Sequence, residues 1–235
     1  MAKVITALLD LSVSRLAETM DVLGVTYTTR SGVPVKLIEM KPRNAIPPEQ
    51  KWRRMQLEAL PAIGRLCREG RMTLGRSTEI SLETMKGTYR GGNVVGDLLG
   101  DVTLVHVPCA IDRSKFQQMD LEQYIEKTTV VEFCKLLLHL DSSALESPWL
   151  IERFTDSELT NLRNLERFRT LCAALAESQY PDAFHLWTAE VNGLDYFLTA
   201  DRSFINVMTK TARVQLTTRP VAPRDLLDDL GIPVD

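Results

Sequence analysis

A strand that alternates apolar and polar residues needs cover on one face, whereas one that is apolar throughout must be covered on both. The stretch "KVITALLDLSV" is of the second kind: it is rich in Val, Ile and Leu and ends near Asp10. It passes at once into helical spacing, "SVSRLAETMDVLG", with a predicted stop at Gly24. The rest of the chain repeats this handover. "PEQKWRRMQLEALPAIGRLCREG" is helical, kinked or divided near Pro61 and closed by Gly70, and is followed by a short strand "MTLGRS" and a capped helix "STEISLETMKG". "VTLVHVPCAIDRSKF" carries a further strand, and "DLEQYIEKTTVVEFCKLLLHLD" reads as an amphipathic helix. "FTDSELTNLRNLERFRTLCAALAESQ" is expected to form one long helix, opened by a Thr155–Glu158 capping box. Residues 25–47 read as irregular or hairpin-like around Gly32–Val33–Pro34, and "YRGGNVVGDLLGD" as a Gly-rich loop. The tail "ARVQLTTRPVAPRDLLDDLG" is read as a strand, a turn and a helix begun by Pro223. Strands alternating with helices specify an α/β fold with a central, largely parallel sheet.

Composition narrows the function classes. The 235 residues are 44% hydrophobic and 25% charged, enough for a sizeable core without staples. A formal charge of -3 excludes a global basic field as the basis of partner choice. Cys67, Cys109, Cys134 and Cys172 are widely spaced beside apolar residues, so they read as reduced packing residues rather than a zinc site. The N-terminus lacks the apolar core and cleavage site of a leader, and no run approaches a membrane-spanning length. The expectation is a cytoplasmic protein without a membrane partner.

In open parallel sheets, sites gather at the carboxyl ends of the strands. Asp10 ends the first predicted strand, and Asp201 follows the strand "DYFLT". In "DAFHLWTAEVNGLDYFLTAD" a helix, a Gly stop and a strand separate Asp182 from Asp201, so the chain can return both acids to one edge. Each acid has a plainer reading on its own. Asp10 and Asp182 can cap helices, Asp201 can shape a turn, and a Glu on a helix face usually meets solvent. Asp195 is read as shaping the turn into its strand. His185, His106 and His139 are read as packing or hydrogen-bonding residues in apolar runs, and Phe184 and Trp187 as core.

Taken together, these segments resemble the PIN-domain family of metal-dependent ribonucleases, which includes toxins of toxin–antitoxin pairs. The resemblance is carried from Asp182 to Leu230 by "DAFHL", "TAE", "DYFLTAD", "VQLTTRP" and "PRDLLDDL", and at the N-terminus by "LLDLSVSRLA". Leu11 stands where Thr or Ser is common in the family, with Ser12 beside it. The likeness covers about half of the chain; residues 25–70 and roughly 88–150 are left unaligned. It implies a single PIN-like three-layer domain over residues 1–235, with a helical insertion at about 88–150. It implies Asp10, Glu83, Asp182 and Asp201 as catalytic acids, of which Asp10, Asp182 and Asp201 hold Mg²⁺ or Mn²⁺. Glu79, one turn before Glu83 on the same face, is the alternative fourth acid. Ser12 and Thr199 are expected as supporting hydroxyls. Implied partners are RNA, an antitoxin protein and a second copy of the chain.

The chemistry is coherent with that expectation. Mg²⁺ and Mn²⁺ favour oxygen ligands, and phosphodiester hydrolysis needs an activated water and a stabilised leaving oxygen. From Glu49 to Arg76 seven Lys or Arg stand against three Glu, with Trp52 among them; Arg53, Arg54 and Arg68 are the candidates to meet an RNA backbone. The main rival is a PIN-like module without activity that binds or assembles. A different phosphoryl-transfer enzyme would need a Gly-rich phosphate loop after a strand, which is missing.

Overall fold

The computed structural model describes residues 3–85, 98–116, 127–141, 148–212 and 214–234. Its centre is a five-stranded, wholly parallel sheet flanked by helices on both faces. The strands are β1 (Ile5–Leu9), β4 (Met72–Ser77), β5 (Val105–Val107), β6 (Tyr196–Leu198) and β7 (Arg219–Val221), in the order β5-β4-β1-β6-β7. The apolar run at the N-terminus is therefore the middle strand. Ala7 pairs with Leu74 on one side and Tyr196 on the other.

The pleat sends alternate side chains into two separate cores. Leu8 and Phe197 face one layer, built on α3 (Thr78–Met85), α4 (Lys127–His139), α6 (Asp156–Arg163), α7 (Leu165–Cys172) and α8 (Tyr180–Val191). Ala7, Leu9, Leu74 and Leu198 face the other, built on α1 (Leu11–Ala17), α2 (Lys51–Arg68) and α10 (Pro223–Asp229). Two short helices, α5 (Pro148–Arg153) and α9 (Arg202–Asn206), complete the set among the described residues. Phe184 and Trp187 lie in the first core, as expected.

Several boundaries differ from the sequence reading, each for an identifiable reason. The first helix stops at Ala17, because Glu18 turns extended, and Gly24 lies inside β2 (Met20–Thr28). That strand pairs antiparallel with β3 (Pro34–Pro42) to form a separate hairpin, and Gly32 in its turn has φ 79°. Pro61 neither divides α2 nor ends it. The long helix expected over 154–179 breaks at Asn164, whose φ -113° and ψ 37° are not helical, so α6 and α7 are separate. Its Thr155–Glu158 capping box is present. The last strand is confined to "RPV", at the C-terminal end of the expected "VQLTTRP". Pro220 is tolerated there because β7 is an edge strand, where a missing N–H breaks no ladder.

The described parts of the 88–150 segment are built into the fold: β5 extends the sheet beside β4, and α4 packs in the first core. The N-terminal part of the amphipathic helix expected over 120–141 and most of the Gly-rich loop lie outside the described residues. Cys134 and Cys172 are buried and Cys67 and Cys109 partly so, all four as free thiols. His106 and His139 are exposed, contrary to the packing role expected of them.

One close approach fixes α2 against the turn at Leu98–Leu99. A Cβ added at Gly64 would lie 2.6 Å from the Leu99 carbonyl oxygen. Backbone cannot yield there as a side chain would, so Gly64→Ala is expected to destabilise the fold by about 1–3 kcal/mol. Urea denaturation measures it; a change within 0.5 kcal/mol, on the order of surface scatter, would remove this contact from the account.

Candidate functional site

The carboxyl edge of the sheet gathers the expected acids around the ends of β1 and β6. Asp10 follows β1 and is 4% exposed. It caps α1: Oδ1 accepts the Leu11 N–H at 2.8 Å and Oδ2 the Ser12 N–H at 3.3 Å. Its capping role is therefore real. Two hydroxyls converge on the same Oδ2, from Ser12 and, at 2.8 Å, from Thr199.

Ser12 and Thr199 act as a clasp between the two strand ends. The Ser12 hydroxyl accepts the Ala200 N–H at 2.8 Å, and that of Thr199 accepts the Asp201 N–H at 3.1 Å. Each therefore gives its proton to Asp10 and takes one from the backbone beyond β6. Asp201 caps α9, its Oδ1 accepting the Phe204 N–H at 2.9 Å.

Asp182 is the exception to the capping reading. It lies in the first turn of α8, but that helix begins at Tyr180 and the cap position belongs to Gln179. The half-buried Asp182 carboxylate accepts no hydrogen bond among the described residues. Burial and the neighbouring Asp10 push its carboxyl up to about 7, with Asp201 and Glu83 adding to the rise and His185 opposing it. The electrostatics thus bring Asp10, Glu83, Asp182 and Asp201 into one field.

The two glutamates of α3 have separate fates. Glu79 is 3% exposed and forms a two-pronged ion pair with the fully buried Arg113, at 3.2 Å from Nε and 3.1 Å from Nη2. It is thereby occupied and is excluded as the fourth acid. Glu83 stands one turn further along, 3.4 Å from His185 Nε2. His185 is fully buried, which alone would lower its pKa, yet the hydrogen bond and charge of Glu83, with Asp10 and Asp182, raise it to about 9. Its Nδ1 has no partner among the described residues. His185 is thus the buried, hydrogen-bonding residue that the sequence reading expected, and its partner Glu83 favours its protonated form. Its position three residues after Asp182, on the same helical face, was the available signal.

Asp195 lies outside this group. Its Oδ2 accepts the Thr6 N–H and hydroxyl, each at 3.0 Å, and Lys3 pairs with its other oxygen, so it ties β6 to β1. Of the three expected RNA-binding arginines, Arg53 and Arg54 are exposed on the first turn of α2, at the acid-bearing edge. Arg68 is at the far end, immediately before β4 begins, about 20 Å from Arg54 along the helix. There it reaches the Leu99 carbonyl at 3.4 Å, and it is removed from the candidate substrate contacts.

Carboxylate oxygens are the donors a hard divalent cation prefers, and that of Asp182 has no competing hydrogen bond among the described residues. Among the described residues, however, no group of three or more His, Cys, Asp or Glu side chains is placed to hold a metal ion. Mg²⁺ usually takes one or two carboxylates together with waters and substrate phosphates, so a complete protein cage is not its requirement. Among the described residues no helix is long and apolar enough to cross a membrane. No protein-family model, curated protein or solved structure matches the chain.

Proposed function

We propose that the protein is a PIN-like, metal-dependent ribonuclease whose site is the acidic pocket at the ends of β1 and β6. The observation that carries this reading is Asp182: a half-buried carboxylate with no hydrogen bond among the described residues, raised by burial and by Asp10. A protein retains such a group at a cost unless a ligand compensates it. Asp10, Asp182 and Asp201 would hold Mg²⁺ or Mn²⁺, which when bound supplies positive charge to a phosphate and acidifies its water.

The chain's own residues prepare that site. The hydroxyls of Ser12 and Thr199 hold Asp10 in one orientation and lock the Asp201 backbone to it. His185 holds Glu83 beside the other acids and offsets part of their repulsion. Arg53 and Arg54 offer exposed positive charge for an RNA backbone.

The second reading, an inactive PIN-like binding or assembly module, is favoured by the lack of a three-residue ligand group among the described residues. Metal linkage separates the two. On the ribonuclease reading, Mn²⁺ raises the melting temperature and, below pH 7, releases a proton on binding, because Asp182 must ionise. Calorimetry in two buffers of different ionisation enthalpy reads that proton. A melting temperature and heat unchanged by millimolar Mn²⁺ would favour the inactive module. An antitoxin partner and a homodimer stay with the resemblance, as proposals.

A further inference from the structure

The end of α2 that faces the acids carries an aromatic ring, Trp52. Gln56 is 1% exposed, and its Oε1 accepts the N–H of Arg224, at the start of α10, at 2.8 Å. Since α10 begins just beyond β7, Gln56 lies level with the carboxyl edge of the sheet. Trp52 is one helical turn earlier, so it stands about 6 Å further out along α2, over that edge. The ring is half-buried, and the guanidinium of Arg202 lies over it, 5.8 Å from its centroid. Arg202 is exposed and directly follows Asp201, a member of the acidic pocket. A π face and a cation therefore sit together beside the acids, flanked by the exposed Arg53 and Arg54.

We propose that Trp52 and Arg202 form a nucleotide platform beside the acidic pocket, with an unstacked base on the indole and its phosphate on Arg202. A surface Arg–Trp contact is weak and gives way to a base, which stacks on any aromatic face. In duplex RNA the bases are already stacked, so only an unpaired base can use the ring. This inference rests on the ribonuclease reading and adds a base-binding subsite to it.

The test titrates wild type, Trp52→Phe and Trp52→Ala in EDTA with a uridine octamer, an abasic octamer and a blunt RNA duplex. Wild type should prefer the uridine octamer, with quenching of tryptophan fluorescence. Trp149 and Trp187 are the other two tryptophans of the chain, and Trp52→Phe reports whatever part of the signal they supply. Trp52→Ala should weaken octamer binding about 5- to 100-fold, the range of one base–aromatic stack, and leave abasic binding unchanged. Trp52→Phe should hold affinity within about threefold and lose most of the quench, a pair of effects that mere misfolding would not produce. Equal octamer binding by wild type and Trp52→Ala, or duplex bound as tightly as the octamer, would overturn the platform. So would a failure of wild type to bind the octamer. Adding Mn²⁺ afterwards separates the two readings. Octamer bound through Trp52 but left uncut refutes the nuclease alone, and octamer cut with no contribution from Trp52 refutes the platform alone.

Discussion

Above pH 7, metal-free Asp182→Asn is expected to be more stable than wild type by a few kcal/mol, taking about 1.4 kcal/mol per pKa unit. The sign follows from the direction of the shift. Asp182 rises from an ordinary 3.8 to about 7 in the folded protein. Between those values the native state binds more protons than the unfolded chain, so this group's contribution falls as pH rises. Below pH 3.8 both states hold the proton and the two proteins should converge, apart from the changed side chain. His185, raised from 6.5 to about 9, adds stability that is complete below 6.5 and lost as pH rises through 9. The metal-free pocket therefore weakens the fold from mild acid to mild alkali, whereas most small domains are steadiest near neutrality. Urea denaturation of both proteins from pH 4 to 9 measures the difference. A constant gap across that range would mean that Asp182 does not titrate as its surroundings require.

The second large effect lies beneath the pocket. Glu79→Ala is expected to cost about 3–5 kcal/mol, because it leaves the fully buried Arg113 without its carboxylate. For a chain of this length the melting temperature should fall by roughly 6–20 °C. The ion pair is replaceable as a unit, so Glu79→Leu with Arg113→Met should recover most of the loss. A single-variant cost below 1 kcal/mol, on the order of an exposed pair, would show that water reaches this pair in solution. The pair's role is positional: it pins α3 one turn below Glu83.

How much of this was legible in the sequence varies with the range of the determining contact. The central strand and the "YFL" strand were readable because burial on both faces writes continuous apolar runs. The convergence of Asp10 and Asp201 followed from parallel topology, which puts both on one edge. The split at Asn164 was not readable, since Leu159 to Leu175 keep helical spacing across the break. At residues 18–24, "ETMDVLG", the apolar positions fit both periods, and the strand won once β3 supplied its ladder. The choice between Glu79 and Glu83 depended on Arg113, which is 34 residues from Glu79 in the chain. No local pattern encodes such a partner.

The central claim is that the pocket around Asp10, Asp182, Asp201 and Glu83 cleaves RNA with a divalent metal. The most direct measurement is cleavage of a labelled RNA by wild type and Asp182→Asn, prepared side by side and titrated with Mn²⁺ and Mg²⁺. Wild-type cleavage should rise with metal and vanish in EDTA. Asp182→Asn should lose on the order of a hundredfold or more while staying folded, the scale on which preorganised charged groups act. Equal cleavage by the two proteins, or no cleavage by wild type at any metal concentration, would contradict the account.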